Sequence, residues 1–403
     1  MKLKLVFASA VLAVIGLTSC EKNLYDPNSD KPDKKVEDLL ISDDFDWKMT
    51  RNADCILQSS SPVMVSVYND ETCTQDQLLA TIPVLPNSNI VYPLSVLATT
   101  KNVYVKYENE AGTSVKVTTP VVNGKINFTI PTGNQVRSTR ANDNFEDIRG
   151  TLYYPNYGGG TILFEDNYPD LGDYDFNDFV ANYVIEVSPD ANTGIIDEIK
   201  FTFIVRAIGA TKKYIPHFRI KSLRTNDIKD ISVNAGEYSD ILKVNTLKDY
   251  KDKFVLAFNG AEDKMGDTFL NTQKDGIKRL PRKIEVIIKI NPAAHYDLRF
   301  INADGFDIFL ALQDRSEEIH TLGYGTAFRI DGYGEDDGSI NNYYKDKKTN
   351  LVWGICVPYR IEHSYENIDF VKAYPDFAQW AEGNYNQTNQ WYMNGKSEFL
   401  FPM

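Results

Sequence analysis

Apolar and polar residues alternate in short runs along most of the chain, and turn-forming residues separate these runs. Alternation with a period of two is typical of β-strands that bury one face. Helical periodicity is sparse, and the best helical segment is residues 375–381, which begins with a proline at a tolerated first position. The pattern therefore predicts a mainly β fold with few short helices. The predicted strands are residues 64–68, 78–82, 103–107, 114–118, 125–130, 180–187, 198–207, 283–290 and 307–312.

The distribution of these strands predicts two β-domains. Between residues 45 and 130 the strands and turns have the spacing of an antiparallel, immunoglobulin-like β-sandwich of about seven strands. Residues 131–149 become polar and lose the alternation, which predicts a linker. Residues 150–403 are predicted to form a larger β-rich domain of sandwich or jelly-roll type, because the chain is too long for one ordinary core.

The start of the chain predicts export and a lipid anchor. A basic start precedes an apolar stretch over residues 5–17, which is too short to span a membrane as a helix. Cys20 directly follows Leu-Thr-Ser, a sequence that resembles a lipobox. We therefore predict a signal peptide at residues 1–19, lipidation of Cys20 and a flexible tether over residues 20–44. The expected location is the outer membrane, with exposure at the cell surface left open.

The charge of the chain favours cations over nucleic acid as partners. The formal net charge is −13, and removal of the signal peptide increases the acidic excess because two lysines leave with it. An acidic surface repels nucleic acid. Clustered carboxylates are the ligands that hard cations prefer.

Three cysteines remain after Cys20. Cys55 and Cys73 lie in the same predicted domain, so the sequence permits a disulfide between them in an oxidising compartment. Cys356 is expected to be a buried apolar residue.

The densest group of acidic side chains lies near the start of the larger predicted domain. Asp173, Asp175 and Asn177 alternate, so an extended or looped backbone turns three oxygen-bearing side chains the same way. This spacing matches the first ligand positions of an EF-hand. Asp178, however, stands where that loop needs glycine, and Val184 stands where it needs glutamate, which excludes an EF-hand.

Calcium is the predicted cation, and a second loop must supply the remaining ligands. We expect that loop at residues 302–307, an acidic turn before an apolar strand. The alternative is that the acidic side chains only form Asx-turns and cap backbone groups at a tight corner. Against it, no basic residue occurs between residues 150 and 199 to offset the crowded carboxylates. The predicted ligands are Asp173, Asp175 and Asn177, followed by Asp178, Asp166, Asp304 and Asp307.

The same motif resembles a family signature. Asp-Leu-Gly-Asp-Tyr-Asp-Phe-Asn-Asp-Phe-Val at residues 170–180 is similar to the signature of the LruC-type domain of bacterial lipoproteins. The resemblance covers the chain from about residue 150 to its end. It implies a β-rich outer-membrane or surface lipoprotein whose acidic motif is similar to those of calcium-binding β-domains. Further matches lie at residues 304–310, 318–324, 373–381 and 391–392.

Catalytic motifs are missing from the sequence. The four histidines are scattered, and there is no zinc-binding spacing, nucleophile elbow, phosphate-binding loop or dinucleotide fingerprint. We therefore expect a non-catalytic protein that binds a glycan or a surface protein. The alternative is a structural subunit of a fimbria-like or adhesin assembly that exchanges a strand at an open sheet edge. A glycan-acting hydrolase comes third, because an acid pair can be hidden among so many carboxylates.

Overall fold

The computed structural model describes residues 34–109, 111–131, 149–328, 344–383 and 390–402. In these ranges the chain forms mainly β-strands and two short α-helices, which confirms the predicted fold class. No helix among the described residues is long and apolar enough to cross a membrane. The predicted signal peptide and Cys20 lie outside the described residues. The strands are β1 (Thr50–Gln58), β2 (Val63–Tyr68), β3 (Leu78–Val84), β4 (Val91–Leu97), β5 (Asn102–Glu108), β6 (Ser114–Val122), β7 (Lys125–Thr129), β8 (Thr151–Tyr154), β9 (Gly160–Phe164), β10 (Phe179–Pro189), β11 (Ile196–Ala207), β12 (Tyr214–Arg224), β13 (Ile228–Asn234), β14 (Lys243–Lys248), β15 (Lys253–Asn259), β16 (Arg282–Ile290), β17 (Phe306–Leu312), β18 (Glu318–Ile319), β19 (Gly354–Val357), β20 (His363–Ser364) and β21 (Leu400–Phe401), and the helices are α1 (Phe370–Ala373) and α2 (Asp376–Ala381).

Every predicted strand is present, and α2 lies where the helical pattern placed it. The sequence did not reveal the other twelve of the 21 described strands, among them β1 and β4. In β4, Pro93 interrupts the alternation and lacks an N–H group, which normally argues against a strand. The structure tolerates it because β4 pairs with β1 alone and is an edge strand of its sheet.

Seven strands form the sandwich predicted for the first part of the chain. Strands β4, β1 and β7 lie on one side, and β6, β5, β2 and β3 lie on the other. Strand β6 joins the two sides, because its first residues pair with β5 and its last two pair with β7. Inward-facing side chains such as Cys55, Val65 and Val105 are fully buried between the two sides.

The larger part contains a second sandwich. Its first sheet runs β13-β16-β11-β10, and its second runs β14-β15-β12-β17-β18. Aromatic rings fill the space between them. Phe201 on β11 stacks on Phe218 on β12 with ring centroids 4.1 Å apart, so the two sheets pack face to face.

The two predicted domains share one sheet and one core. Strand β8 pairs with β10 of the larger part and also with β3 of the first sandwich, where Leu152 lies opposite Ala80. A single hydrophobic cluster contains residues from both parts, and the chain from Lys35 onward forms one compact unit. The domain boundaries stay a prediction, and residues 132–148 of the predicted linker lie outside the described residues.

The end of the predicted tether is not extended into solvent. Val36, Leu39 and Ile41 are 0%, 5% and 8% exposed, and they pack in an aromatic cluster with α1 and α2. The prediction of a tether over residues 20–44 is therefore wrong for its last residues. The partners of this segment lie more than 300 residues further along the chain, so local composition could not reveal them.

Candidate cation site

Glu165 forms the floor of the candidate site, under the loop that joins β9 to β10. Its carboxylate accepts the backbone N–H groups of Tyr174 at 3.2 Å and Phe176 at 2.5 Å. Both donors have left-handed backbone conformations, with φ of 54° and 52°, while their rings are buried in the aromatic cluster. A Cβ atom on Gly172 would lie 2.4 Å from Glu165 Oε2, so the loop needs glycine there. Backbone strain of this kind persists where the surrounding packing enforces it, often at functional sites.

Asp173 and Asp175 converge on Glu165, so that three acidic side chains lie close together. One carboxylate oxygen from each of Glu165, Asp173 and Asp175 lies within 4.8 Å of the others. Asp173 is exposed at the rim, whereas Asp175 is 1% exposed. Since calcium–oxygen distances are about 2.3–2.6 Å, oxygens on opposite sides of one ion lie about 5 Å apart. The three oxygens are therefore close enough to share a single cation.

Asp166 and Asp178 lie next to this group and are fixed by backbone donors. Asp178 accepts the N–H of Asp166 at 2.7 Å. Asp166 accepts the N–H groups of Thr211 at 2.7 Å and Lys212 at 3.3 Å, just after β11. These bonds hold both carboxylates in place beside the other acidic side chains.

A second segment, between β20 and α1, closes the site. The N–H of Asn367 donates to Asp175 Oδ2 at 2.8 Å, and Asn177 Nδ2 donates to the carbonyl of Ser364 at 3.3 Å. A Cβ atom on Gly209 would lie 2.3 Å from Asn177 Oδ1 and 3.3 Å from Glu366 Oε2. Both oxygens therefore face the same space above Gly209.

Asn177 Oδ1 is a buried oxygen without a hydrogen-bond partner among the described residues. The side chain of Asn177 is 0% exposed. Leaving a buried polar atom unpaired costs about 1–3 kcal/mol, so such atoms are rare in folded proteins. A cation in the space that it faces would satisfy it.

The raised pKa values of the carboxyl groups also indicate that the group needs a positive charge. Burial raises the pKa of Asp175 to about 9, and the carboxylates of Asp173 and Asp178 add to the shift. Burial likewise raises the pKa of Asp178 to about 8, with Asp166 adding to it. The pKa of Glu165 also lies well above its usual range, first through burial and then through repulsion from Asp178. The carboxylates are thus too close together to carry their full negative charge without a nearby positive charge.

Lys264 is the basic side chain that interacts with this group. Burial lowers its pKa, while Asp166, Asp178 and Glu366 counteract that shift. Its ammonium group donates to the carbonyl oxygens of Thr268, at 2.8 Å, and Ala210. One ammonium group bound to carbonyl oxygens leaves most of the carboxylate charge in the group unbalanced.

The structure thus brings five of the seven predicted ligands together and places two elsewhere. We call the assembled group the acidic site. Asp304 is wrong as a ligand, because it binds Lys48 and the side-chain amide of Asn52, each at 2.8 Å. The second segment is therefore not residues 302–307. The acidic site consists of Glu165, Asp166, Asp173, Asp175, Asn177, Asp178 and Glu366.

Asp307 is also wrong as a ligand, because it belongs to a buried ion network. Its carboxylate accepts from Arg219 Nη2 at 2.6 Å and lies 3.0 Å from Nδ1 of His320. The other ring nitrogen of His320 lies 2.8 Å from Glu318, and Arg219 also lies 3.5 Å from Asp249. All of these side chains are buried, so Asp307 is satisfied by cations within the protein itself.

Sequence reasoning missed Glu165 and Glu366. Glu165 directly precedes Asp166, so the same acidic run could have included it. Glu366 gives no such signal, because it is a single acidic residue almost 200 positions away. The fold alone brings it to the site.

The disulfide that the sequence permitted is not formed, since Cys55 and Cys73 are both free. Cys55 points into the sandwich core from the middle of β1, and burial raises the pKa of its thiol to about 12. Cys73 lies in the turn between β2 and β3, where its sulfur faces the carbonyl of Glu71. Cys356 on β19 is half-buried, and burial raises its pKa to about 12 as well.

A separate cavity of about 110 Å³ lies where the first sandwich meets the larger part. Tyr183, Tyr324 and Trp47 line it, with Asp304 at its edge. Two of the polar groups that line it are engaged within the protein. Tyr324 donates to the carbonyl of Phe306 at 2.6 Å, and Asp304 binds Lys48.

The fold is mainly β, and the acidic site lies between two segments that are distant in sequence. The family described as "Domain of unknown function (DUF4842)" matches residues 194–392, a range that includes Gly209 and Glu366. A solved chain from Bacteroides ovatus, provisionally named a lipoprotein, is similar, with a TM-score of 0.64 and 19% identity over 84% of this chain and 99% of that chain. That likeness shows the fold. No curated protein matches the sequence, and the resemblance to the LruC-type domain stays a prediction.

Proposed function

We propose that this chain is an outer-membrane lipoprotein, anchored through Cys20, that binds calcium at the acidic site and has a non-catalytic binding role. The observation that carries the calcium proposal is Asn177 Oδ1. In the part of the chain that the structure describes, this buried oxygen has no hydrogen-bond partner, and it faces the same space as a carboxylate oxygen of Glu366. A neutral oxygen beside crowded carboxylates suits a hard cation.

Calcium fits this site better than magnesium. Calcium takes about six to eight oxygen ligands in flexible geometry, whereas magnesium needs a smaller, near-ideal octahedron. The ligands here come from the loop between β9 and β10 and from the segment between β20 and α1. Gly209 leaves room between Asn177 and Glu366. The proposed ligands are oxygens of Glu165, Asp173, Asp175, Asn177 and Glu366, with Asp166 and Asp178 beside them.

The binding role towards a glycan or a surface protein is proposed from the sequence and the absence of catalytic motifs. A role in strand-exchange assembly has less support. The edge strands β13 and β14 carry exposed charged residues such as Lys229, Asp230, Lys243 and Lys248, and charges on an edge oppose pairing with another chain.

Calorimetry with calcium chloride tests the cation proposal. We expect calcium to bind with a dissociation constant of roughly 10⁻⁴ to 10⁻³ M, as in extracellular modules, and magnesium to bind more weakly. Asp175→Ala should abolish binding. Asp304→Ala is the matched control, because it removes a predicted ligand that the structure places elsewhere, and it should bind calcium as the unchanged protein does. Absence of binding at millimolar calcium, or equal binding by Asp175→Ala, would sink the proposal.

Membrane fractionation tests the anchor. The Cys20→Ala protein should leave the membrane fraction, because the lipid attached to Cys20 supplies its affinity for the bilayer. Cys73→Ala is a suitable control, since that thiol lies in a surface turn, and it should stay with the membrane. A Cys20→Ala protein that still sediments with membranes would contradict a lipid anchor.

A further inference from the structure

The segment that closes the acidic site also holds the first described residues of the chain. Asn367 donates its N–H to Asp175, and Phe370 donates its N–H to the carbonyl of Tyr174 at 2.9 Å. Between these two residues lies Asp369. Its Oδ1 caps α1, and its Oδ2 accepts the N–H of Val36 at 3.0 Å. One short segment thus links the acidic loop to the end of the predicted tether.

Residues 36–41 are held by three buried side chains and by hydrogen bonds to three other parts of the chain. Val36, Leu39 and Ile41 insert their side chains, while Leu40 is 84% exposed between them. Besides the bond to Asp369, Leu40 donates its N–H to Glu382 at 3.0 Å, and the carbonyl of Ile41 accepts from Asn350 at 2.9 Å. Three buried side chains must offset the entropy lost on ordering six residues, so the balance is close. Such a segment depends on each of its anchoring bonds.

The residues that follow are held more firmly. Phe45 and Trp47 pack edge-on against Trp380, with ring centroids 5.0 and 5.8 Å apart. Trp47 also donates its indole N–H to the carbonyl of Asn350 at 3.1 Å. Release of residues 36–41 would therefore stop before Phe45.

We propose that a cation in the acidic site keeps residues 36–41 docked through Asp369, and that loss of the cation frees them to lengthen the tether. Without a cation, no ion bridges Glu366 and Asn177 across the space above Gly209, and Glu366 and Asp173 repel each other. The segment from Glu366 to Asp369 then moves away from the acidic loop. Asp369 no longer meets the N–H of Val36. This inference rests on the proposed cation binding.

Hydrogen–deuterium exchange of the full mature chain, in millimolar calcium and in EDTA, tests this coupling. Amides of residues 36–41 should exchange at least tenfold faster in EDTA, because their docked state is lost. Amides of β2, far from the site in the sandwich core, should exchange equally in both. If calorimetry shows that calcium binds while residues 36–41 exchange at the same rate in both solutions, the coupling is wrong and the cation site stands. If no calcium binds, the proposed function itself fails.

Two variants separate the coupling from the binding. Asp369→Ala removes the acceptor, and Val36→Pro removes the donor at the first position of a short helical turn, where proline is tolerated. Each variant should exchange residues 36–41 rapidly with or without calcium and should still bind calcium, with an affinity that is weaker by the same factor by which calcium slows this exchange in the unchanged protein, because the coupling is reciprocal. Slow, calcium-sensitive exchange in either folded variant would overturn the role of the Asp369–Val36 bond.

Discussion

The acidic site and the buried ion network around Asp307 both hold carboxylates away from water, but they balance that charge differently. In the network, Asp307 and Glu318 meet the side chains of Arg219 and His320. Burial alone would raise the pKa of Asp307, yet His320 and Arg219 bring it below its usual value. In the acidic site, burial and neighbouring carboxylates raise the pKa values together. The charges of the ion network are balanced within the chain, whereas the acidic site has more carboxylates than Lys264 can balance.

The difference teaches how a ligand site can be separated from a structural cluster of acids. Both groups contain residues that the sequence predicted as calcium ligands, and both lie beside apolar strands. What distinguishes them is the direction of the pKa shift and the presence of basic partners. A carboxylate whose pKa is lowered by an internal arginine has its cation already. A buried carboxylate whose pKa is raised by other carboxylates requires a proton or an added ion.

Removal of the internal cation should have the largest effect. Arg219→Met keeps most of the side-chain length but leaves Asp307 and Asp249 without their guanidinium partner. Breaking a buried ion pair from one side costs about 3–5 kcal/mol, so the melting temperature should fall steeply. Thermal unfolding followed by circular dichroism measures this, and calcium should still raise the melting temperature of the variant.

The matched control is Arg299→Met, since Arg299 forms an exposed ion pair with Asp297. A pair whose arginine lies in solvent contributes little to stability, so this variant should unfold almost as the unchanged protein does. If both arginine variants lose the same stability, burial does not distinguish the two pairs and the comparison breaks down.

The pH dependence of stability should distinguish the two groups next. The folded-state pKa values of Asp175 and Asp178, about 9 and about 8, lie above the ordinary value of 3.8. In EDTA the folded form therefore binds more protons than the unfolded form, and stability falls as pH rises from about 4 to about 9. Calcium replaces those protons. Calcium should add about 2.7 kcal/mol to the free energy of unfolding at a hundredfold excess over its dissociation constant.

The ion network responds to pH in the same direction but not to calcium. Burial alone would lower the pKa of His320, but Asp307 and Glu318 raise it above its usual value. The stability that His320 contributes is therefore present at low pH and is lost as pH rises through its folded-state pKa. Urea unfolding at pH 5, 7 and 9, with calcium or EDTA, measures both effects. In Asp178→Asn, the decrease in stability with rising pH in EDTA should be smaller, and calcium should stabilise the protein less. An unchanged profile would show that Asp178 does not titrate with the site.

The substitution with the smallest expected effect tests whether Asn177 Oδ1 binds the ion in the acidic site. In Gly209→Ala the new Cβ would displace Asn177 Oδ1, which lies 2.3 Å from its ideal position. Displacement of one ligand oxygen should weaken calcium affinity roughly tenfold, which corresponds to about 1.4 kcal/mol of binding free energy. Gly305→Ala is the control, because its nearest neighbour would lie 3.7 Å away. Calorimetry that finds equal affinity for both variants would mean that Asn177 does not bind the ion.

The sequence by itself determined the mainly β fold, the positions of nine of the 21 described strands and the acidic loop. These features are local. Alternating apolar residues specify a strand wherever they occur, and Asp173, Asp175 and Asn177 are brought together by one short loop. The missed strands show the limit of local patterns. Pro93 concealed β4, for example, because the place of β4 at a sheet edge depends on pairing with β1.

The tertiary structure alone decided which acidic residues share a site. Asp304 and Asp307 look like ligands in sequence, but the fold places Lys48 beside one and Arg219 and His320 beside the other. Glu366 has no acidic run around it, yet the chain path before α1 brings it to the oxygen of Asn177. Charge balance depends on neighbours across the fold, and those neighbours are separated by tens to hundreds of residues. A linear pattern shows which residues can bind a cation, whereas packing decides which of them still lack one.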